Sequence, residues 1–344
     1  MLISNSSTVS SDEAIQINPR LRIEIFREQC PIAAGEDVIN GLTQTPKTLP
    51  PKYFYDDHGS LLFEKICELP EYYVTRTETQ ILQNYASEIA HLTGPCELVE
   101  LGSGSSTKTR ILLDAYQELG HPLHYLPIDI SGGILEQSAH SLLKEYPTLH
   151  IHGIVSTYET ALKHLNPSPL PNRMIGFIGS TLGNLKPEDC HAFFAHVVEA
   201  LQPGDYFLLG VDLHKSKSIL EPAYDDSQGV TAAFNLNMLR HLNRLFSGNF
   251  DLSQFEHLAF YNEKEHQIEM HLKSLKNQTV ELKTLNLTVE FQEGETIHTE
   301  ISRKFQFEQI QAELKTLGLV SLKNWTDQNQ WFGLMLCQLQ DVNA

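Results

Sequence analysis

The chain has 344 residues, of which 41% are hydrophobic, enough for a sizeable core in one large or two ordinary domains. Its 43 acidic and 25 basic residues give a formal net charge of -18, which disfavours nucleic acid as a partner, because phosphate backbones are bound by clustered Lys and Arg. No apolar run approaches the ~20 residues of a membrane-spanning helix, and the Ser-rich segment 1–11 lacks the apolar stretch of a signal peptide. We expect no membrane partner, and we also expect a cytoplasmic protein that is a monomer.

The cysteine and histidine spacing gives no indication of a metal site. The five cysteines are odd in number and widely separated, and they form no C-x-x-C motif. This usage is typical of a reducing compartment and argues against a disulfide framework or a zinc site. His150 and His152 would share one face of a strand, but no third ligand is close in sequence, so solvated or core histidines are the favoured interpretation. We expect no metal.

Short apolar strands alternate with helical segments between residues 96 and 212. The predicted strands are Cys96–Leu101, His124–Ile130, His150–Val155, Met174–Ser180 and Tyr206–Asp212. The predicted helices are Lys108–Leu119, a helix from an N-cap at Ser131 through Tyr146, and Pro187–Leu201. This β-α-β alternation predicts an α/β fold with a doubly wound, Rossmann-like parallel sheet.

The alternation breaks over residues 213–304, which contain a helical stretch and several strands of period-two alternation joined by short polar turns. Such strands are typical of antiparallel pairing. The parallel pattern resumes with a helix at Phe307–Leu317 and strands near Ser321–Trp325 and Trp331–Leu339. We therefore predict a second, α+β domain built from residues 14–77 and 213–304, beside a sheet domain of residues 78–212 and 305–344. Ligand sites are favoured at such junctions.

A glycine turn, Gly102-Ser103-Gly104, follows the first strand of this alternation and precedes a helix. Glycines there allow a tight turn and a close approach of a ligand to the backbone. A dinucleotide fingerprint would have a third Gly or Ala where this chain has Thr107, which disfavours a pyrophosphate cofactor. Asp129 ends the next strand, where a carboxylate can accept hydrogen bonds from both hydroxyls of a ribose. The combination favours S-adenosylmethionine (SAM), although an ordinary βα turn or a dinucleotide site remains open.

Seven long motifs are spread along the chain from about Lys47 to the C-terminus. They are Pro51-Lys52-Tyr53-Phe54-Tyr55-Asp56, Leu69-Pro70-Glu71-Tyr72-Tyr73-Val74-Thr75-Arg76, Glu100-Leu101-Gly102-Ser103-Gly104, Gly179-Ser180-Thr181-Leu182-Gly183-Asn184, Ala223-Tyr224-Asp225-Asp226, Gly229-Val230-Thr231-Ala232-Ala233-Phe234-Asn235 and Thr299-Glu300-Ile301-Ser302-Arg303-Lys304-Phe305. In these motifs the chain resembles the histidine Nα-methyltransferases of ergothioneine biosynthesis. The resemblance implies a two-domain, SAM-dependent enzyme.

The resemblance implies a role for each matching residue. Tyr55 would lie near both the donor and the substrate amine and is the catalytic candidate. The donor would be bound by Tyr55, Gly102, Gly104, Lys108, Asp129, Thr157 and Tyr158. Asn184 and Tyr224 would hold the α-amino and carboxylate groups, whereas Tyr72, Glu300 and Ser302 would bind the imidazole beside Met270.

The spacing of Glu300 and Ser302 agrees with this interpretation, because residues two apart on a strand point to the same face. A carboxylate and a hydroxyl together match an imidazole N–H, whereas an indole would gain less from a carboxylate. One position departs from the family pattern: Thr157 stands where the family often has an Asp that would accept from the adenine amino group, although Tyr158 keeps the following aromatic. This departure weakens the expected adenine contact.

The resemblance implies three successive methyl transfers from SAM to the α-amino group of L-histidine, which give hercynine. Three alternatives remain. One is methylation of another aromatic amine, such as a tryptophan derivative. A second is a SAM-binding regulatory protein without catalysis, against which the set of Tyr55, Asn184 and Tyr224 argues. A dinucleotide-dependent oxidoreductase is the third, and Thr107 disfavours it.

Overall fold

A computed structural model describes residues 13–26 and 35–341, so segment 1–11 and Cys30 lie outside the described residues. The strands are β1 (Glu13–Asn18), β2 (Leu21–Ile25), β3 (Lys47–Thr48), β4 (Cys96–Leu101), β5 (His124–Asp129), β6 (His150–Val155), β7 (Asn172–Phe177), β8 (Tyr206–Asp212), β9 (Phe255–Asn262), β10 (Gln267–Ser274), β11 (Gln278–Leu282), β12 (Leu287–Phe291), β13 (Thr296–Arg303), β14 (Leu319–Thr326) and β15 (Phe332–Leu339). The helices are α1 (Glu36–Thr43), α2 (Asp57–Glu68), α3 (Tyr73–Thr93), α4 (Thr107–Glu118), α5 (Gly132–Glu145), α6 (Tyr158–Lys163), α7 (Pro187–Ala200), α8 (Lys217–Leu220), α9 (Val230–Phe246) and α10 (Phe307–Thr316). Short 3₁₀ turns lie at Pro51–Phe54, Thr181–Asn184, Glu221–Ala223, Leu252–Gln254 and Lys283–Leu285.

Nine strands form the large sheet in the order β1-β2-β6-β5-β4-β7-β8-β15-β14. The neighbours from β2 through β8 are parallel, whereas β15 runs antiparallel to both β8 and β14. Strand β4 is buried at every position, as expected for a central parallel strand covered on both faces. The predicted doubly wound, mainly parallel sheet is confirmed.

The strand order reverses at β4, which has β5 on one side and β7 on the other. In an open parallel sheet this reversal leaves a crevice at the carboxyl ends of the strands, where ligands bind. The loops that follow β4, β5, β6 and β7 therefore converge on one place, and they carry the glycine turn, Asp129, Thr157 and Gly179.

The first two strands differ from the predicted domain division, which placed residues 14–77 in the second domain. β2 instead pairs in parallel with β6, and β1 pairs antiparallel with β2, so both extend the edge of the large sheet. Leu21 and Ile23 of β2 are buried there and add to its core. This pairing joins strands far apart in the chain, and no local pattern in the sequence signals it.

A smaller sheet of order β3-β13-β10-β9 forms the centre of a second layer. Strands β9, β10 and β13 are antiparallel, as predicted for the inserted segment, and helix α9 packs against β9 and β10. Helix α2 from the N-terminal region packs on α9 as well. We propose that residues 35–72 and 213–304 form the substrate domain, and that the other described residues form the donor domain.

A β-bulge in β13 sets the direction of its side chains. Glu300 stands opposite Met270, but His298 stands opposite His271, so Thr299 is an extra residue in the pairing. Buried Thr299 bonds to the Met270 carbonyl oxygen and to Asn235 of α9. Beyond the bulge the alternation is regular, and Glu300 and Ser302 therefore lie on the same face of the sheet.

The core divides into two hydrophobic clusters, one on each side of the large sheet. Residues of β4 belong alternately to both, with Leu98 in one cluster and Val99 and Leu101 in the other. No helix in residues 13–26 and 35–341 is both long and apolar enough to cross a bilayer.

Candidate functional site

The glycine turn and Asp129 are joined by backbone hydrogen bonds. The Gly102 and Ser103 amides donate to the Ile128 carbonyl oxygen at 2.8 and 3.1 Å, and the Gly104 amide donates to Asp129 Oδ2 at 2.9 Å. Gly102 has a φ of +74°, and a Cβ there would lie 2.8 Å from the Tyr158 hydroxyl. The turn therefore requires glycine both for its conformation and for space beside Tyr158.

Asp129 is the last residue of β5 and lies at the carboxyl end of that strand. Its second oxygen accepts from the Ser131 amide at 2.9 Å, the N-cap position predicted for the following helix. Burial raises the pKa of Asp129, and the backbone amides of Ser131 and Gly104 oppose this shift. Each carboxylate oxygen keeps a further lone pair, so Asp129 can accept from two hydroxyl groups of a ligand.

Two buried hydroxyls in the crevice loops, those of Ser103 and Ser156, have no hydrogen-bond partner among the described residues. Ser103 follows β4 and Ser156 follows β6, and β5 lies between these two strands in the sheet. Both serines therefore lie at the carboxyl ends of the strands on either side of Asp129. Buried polar groups without partners are rare in proteins, so these two hydroxyls are available to hydrogen-bond a ligand. The hydroxyls, the glycine cradle and Asp129 together fit a nucleoside-bearing donor.

Lys108 does not point freely into the crevice. Its ammonium pairs with Glu78, whose fully buried carboxylate also accepts from the Gly179 amide at 2.8 and 3.0 Å. Burial alone would lower the pKa of Lys108, but Glu78 outweighs burial and raises it. An ammonium has three N–H donors, so Lys108 can still donate to a ligand while bound to Glu78.

Thr157 and Tyr158 begin helix α6, with Thr157 at its N-cap. The Thr157 hydroxyl donates to the Thr160 hydroxyl at 3.2 Å, whereas the Tyr158 ring packs edge-on against Phe177 at 5.5 Å. Tyr158 therefore lies beside the glycine turn, with its hydroxyl next to Gly102 and its ring against Phe177.

Glu100, near the end of β4, connects the strand before the glycine turn to the helix that follows it. Thr109 of α4 and Tyr125 of β5 both donate to its Oε2 atom. Burial raises the pKa of Glu100 to about 6, and these two hydrogen bonds oppose the rise. The carboxyl group thus ties the start of α4 to the sheet without contacting the crevice side of the loop.

On the smaller sheet, Glu300 faces Asn184 from the loop after β7. The Asn184 side-chain amide donates to Glu300 Oε1 at 3.2 Å. Burial raises the pKa of Glu300 to about 7, and the positive charge of Lys304 partly opposes this rise. A carboxylate with so few partners keeps unused acceptor positions, so it can bind an N–H group of a ligand.

Ser302 forms a compact hydrogen-bonded set with Tyr224 and Lys304. The two hydroxyl oxygens lie 2.7 Å apart, and the Lys304 ammonium donates to Ser302 at 2.8 Å and to Tyr224 at 3.1 Å. All three side chains are buried. Because Lys304 only donates, both hydroxyls accept from it, and one of them donates to the other. A single hydroxyl hydrogen is therefore left for a ligand.

Asp212, at the end of β8, neutralises this lysine. Its carboxylate lies 2.9 Å from the Lys304 ammonium and 2.5 Å from that of Lys215, and it accepts from the Tyr73 hydroxyl at 2.7 Å. Burial would raise the pKa of Asp212, but the two lysines hold it below its usual value. The Lys304 ammonium thus uses its three hydrogens on Asp212, Tyr224 and Ser302, which fixes its position.

Tyr55 connects the two halves of the site. Although 37% of the residue is exposed, burial of its phenol and the nearby carboxylate of Glu300, with smaller contributions that include Tyr158 and Asp129, raise the pKa of Tyr55 well above its usual value. The phenol therefore stays protonated at neutral pH. Glu300 on the substrate side and Asp129 on the donor side are thus both among the groups that raise the pKa of Tyr55.

Tyr72 and Met270 border the substrate side. The Tyr72 ring packs edge-on against Tyr224 at 6.0 Å, and burial, followed by Tyr224, raises its pKa well above the usual value. Met270 of β10 is 2% exposed and is paired with Glu300 of the neighbouring strand β13, so the two side chains lie on the same face of the sheet. The structure therefore brings all six substrate-side candidates together, around one crevice.

Sequence reasoning missed the charged residues behind this crevice, namely Glu78, Asp212, Lys215 and Lys304. Lys304 had a usable signal, because it lies two residues after Ser302 and hence on the same side of an extended chain. The others had none, because each meets its partner only through the tertiary fold.

Comparison with known proteins gives the family. Residues 34–339 match the family model described as "Histidine-specific methyltransferase, SAM-dependent". A histidine N-alpha-methyltransferase of Mycolicibacterium smegmatis is 46% identical over 88% of this chain and 94% of that protein. Ergothioneine biosynthesis protein 1 of Neurospora crassa is 29% identical over 85% of this chain but only 33% of its own length. An L-tryptophan methyltransferase of Psilocybe serbica is 27% identical over 87% and 90% of the two chains.

The family match covers more than half of the chain, and the identity to the M. smegmatis enzyme extends over nearly all of both proteins. The sequence resemblance is thereby confirmed, and with it the class of enzyme. The chain belongs to the family of SAM-dependent, histidine-specific methyltransferases.

Proposed function

We propose that this protein transfers methyl groups from SAM to the α-amino nitrogen of L-histidine, in three rounds that give hercynine, the first step of ergothioneine biosynthesis. The observation that carries the proposal is the pair of Glu300 and Ser302, which share one face of β13 beside Tyr55 and Tyr72. The 46% identity to the M. smegmatis histidine N-alpha-methyltransferase supports the same substrate.

The residues around the crevice after β4 would hold the donor. Asp129 would accept from the two ribose hydroxyls, and Gly102 and Gly104 would allow the nucleoside to approach the backbone. Lys108 would donate to the donor's carboxylate while Glu78 holds the ammonium in place. Tyr158, with Thr157 beside it, would border the adenine. When bound, SAM supplies an activated methyl group on a sulfonium.

The imidazole of the substrate binds Glu300 and Ser302. One ring N–H donates to the Glu300 carboxylate, and the second ring nitrogen receives the one hydroxyl hydrogen that the Tyr224–Ser302 pair has left over. Tyr72 and Met270 cover the ring. A substrate without two ring nitrogens leaves part of this buried polar set unpaired, and such mismatches discriminate strongly.

The α-amino and carboxylate groups face Asn184, Tyr224 and Tyr55. Tyr55 and Asn184 orient the amine toward the donor, so that its lone pair lies in line with the methyl carbon. The raised pKa of Tyr55 keeps its phenol neutral, so it positions the amine and does not act as a phenolate base. The first and second transfers each leave a methylated ammonium, which releases a proton to solvent and rotates so that its lone pair faces the next methyl group, while the ring and carboxylate stay bound. The third transfer leaves a quaternary nitrogen without a lone pair, which ends the series.

Lys304 is a positioning residue in this scheme. Its three hydrogens are used on Asp212, Tyr224 and Ser302, so it acts on the substrate through the two hydroxyls and through its charge.

The location in the cytoplasm and the monomeric state remain predictions of the sequence.

Incubation of the purified protein with SAM and a panel of amino acids, followed by mass spectrometry, tests the proposal. We expect mono-, di- and trimethylated histidine, with the trimethylated form accumulating. Turnover of tryptophan or another amine without turnover of histidine would overturn the substrate assignment. Donor binding without turnover of any amine would favour the regulatory alternative.

A further inference from the structure

The outer face of the smaller sheet, opposite Met270, carries a cluster that the methyl transfer does not use. Glu269 and His271 alternate with Met270 along β10 and hence point away from it, and His298 of β13 stands opposite His271. One ligand atom from each of the three side chains lies within 4.8 Å of the other two. We propose that Glu269, His271 and His298 bind a divalent transition-metal ion, for which zinc is the natural probe.

The nearest pair already has the spacing of two metal ligands. His271 Nε2 lies 3.4 Å from Glu269 Oε2, which is long for a hydrogen bond. Two ligands at about 2.0 Å from a tetrahedral zinc ion are separated by about 3.3 Å. An ion between these two atoms therefore requires almost no movement of either.

Neighbouring groups orient the ligands as an outer coordination shell does. Glu269 Oε1 accepts from Asn262 at 2.7 Å and from Gln267 at 3.0 Å, which leaves Oε2 turned toward His271. His298 Nε2 lies 3.1 Å from the carbonyl oxygen of Glu300. A carbonyl only accepts, so Nε2 carries the hydrogen and Nδ1 keeps the lone pair that a metal needs.

Metal binding requires one adjustment, in the ring of His298. The His271 and His298 rings are stacked at 4.7 Å with planes 19° apart, so binding must rotate the His298 ring toward Glu269. Such a rotation about the Cβ–Cγ bond is soft in itself, and its cost is the lengthening of the hydrogen bond from Nε2 to the Glu300 carbonyl oxygen. Three protein ligands leave a fourth position for water.

A bound ion would link β10 to β13 on the face of the sheet opposite Met270 and Glu300.

The cluster has an alternative interpretation as a purely structural feature. Phe260 stacks on His271 at 5.4 Å, and the rings of Phe260, His271 and His298 form a column across the sheet. The two interpretations differ in one respect. Metal binding requires the carboxylate of Glu269, whereas ring stacking does not.

Titration of the full-length, metal-free protein with zinc, by calorimetry and by thermal unfolding, tests the site. We expect one tight equivalent per chain and a rise in Tm with zinc concentration. Glu269→Gln and His271→Phe should each weaken binding more than about 100-fold, whereas Asn262→Ala, which removes an outer contact, should weaken it about 10-fold. His271→Phe keeps an aromatic ring against Phe260.

The second stacked histidine pair provides a matched control. His124 and His150 lie 5.1 Å apart with planes 10° apart, outside this cluster. His150→Phe should leave zinc affinity unchanged. Cobalt in place of zinc should give the ligand-field spectrum of a four-coordinate site without a thiolate charge-transfer band, which excludes binding at a cysteine. The proposal is overturned if the protein binds no zinc, or if Glu269→Gln and His271→Phe retain the affinity of the unchanged protein.

Discussion

The two halves of the site are built in different ways. The donor half is a set of loops at the carboxyl ends of the central strands of the large sheet. Its main polar residue, Asp129, accepts hydrogen bonds from two backbone amides. The substrate half consists of side chains from distant segments, and it buries the charged groups Asp212 and Lys304 with Glu300 close by. The first half depends on local backbone conformation, and the second depends on a balance of charges that pH and substitution can shift.

Removing Asp129 should produce the largest effect and confine it to the donor half. Asp129→Ala should weaken SAM binding by about 1000-fold, because two charge-assisted hydrogen bonds to the ribose together contribute about 4 kcal/mol. Calorimetric titration with SAM measures this loss, and the KM for histidine at saturating donor is the control. An equal rise in both constants would show that Asp129 supports the whole crevice and not the donor alone.

Substitution of Lys304 tests the role of the buried charged groups in the substrate half. Lys304→Met should lower kcat/KM for histidine about 100-fold and destabilise the fold by about 3 kcal/mol, since it leaves Asp212 with one fewer cation in a buried site. Steady-state kinetics and denaturant unfolding measure the two effects, and SAM affinity should not change.

A double-mutant cycle separates positioning from simple loss of stability. If Lys304 acts through Ser302, the losses in kcat/KM from Lys304→Met and Ser302→Ala should be less than additive. Additive losses would mean that Lys304 maintains the fold without orienting the hydroxyl.

The contrast between the halves also explains how much the sequence could predict. The glycine turn, Asp129 and the alternation of strands and helices are local patterns, and the structure has the predicted parallel sheet with Gly104 bonded to Asp129. The same-face placement of Glu300 and Ser302 follows from strand periodicity, and it holds because the bulge at Thr299 precedes both.

What could not be predicted depends on long-range contacts. Asp212 lies at the end of β8 and Lys304 just after β13, and only the junction of the two layers brings them within 2.9 Å. The edge pairing of β2 with β6 is of the same kind, since a parallel pair of distant strands has no turn between them to signal it. Lys108 was predicted as a donor contact, but its pairing with Glu78 could not be foreseen.

Glu300 gives a smaller effect that depends on pH. Glu300→Gln should raise the KM for histidine about 10-fold at neutral pH, because a neutral acceptor forms a weaker hydrogen bond than a carboxylate. In the unchanged protein the KM should rise as pH falls through about 7, where Glu300 becomes protonated, and the Gln variant should lose this part of the pH dependence. The same profile in both proteins would exclude Glu300 as the titrating group.

The same substitution should affect stability in the opposite direction. Folding raises the pKa of Glu300 from 4.5 to about 7, so its contribution to stability is fully present below pH 4.5 and is lost as pH rises through about 7. Glu300→Gln should therefore be about 3 kcal/mol more stable than the unchanged protein at pH 8, with the difference vanishing near pH 4. Denaturant unfolding at the two pH values measures it, and an equal difference at both would contradict the assignment.

Thr157 should give the smallest effect, and it is the one position where the donor half departs from the family pattern. Thr157→Asp should bind SAM about 5-fold more tightly, because a carboxylate accepts from the adenine amino group more strongly than a hydroxyl does. The change is compatible with the fold, since Thr157 is the N-cap of α6 and Asp is also favoured there. Thr157→Asn, which caps the helix without the charge, is the matched control. Tighter binding by Asp and not by Asn would place the adenine amino group at residue 157, whereas equal affinity in all three proteins would show that the adenine is held elsewhere.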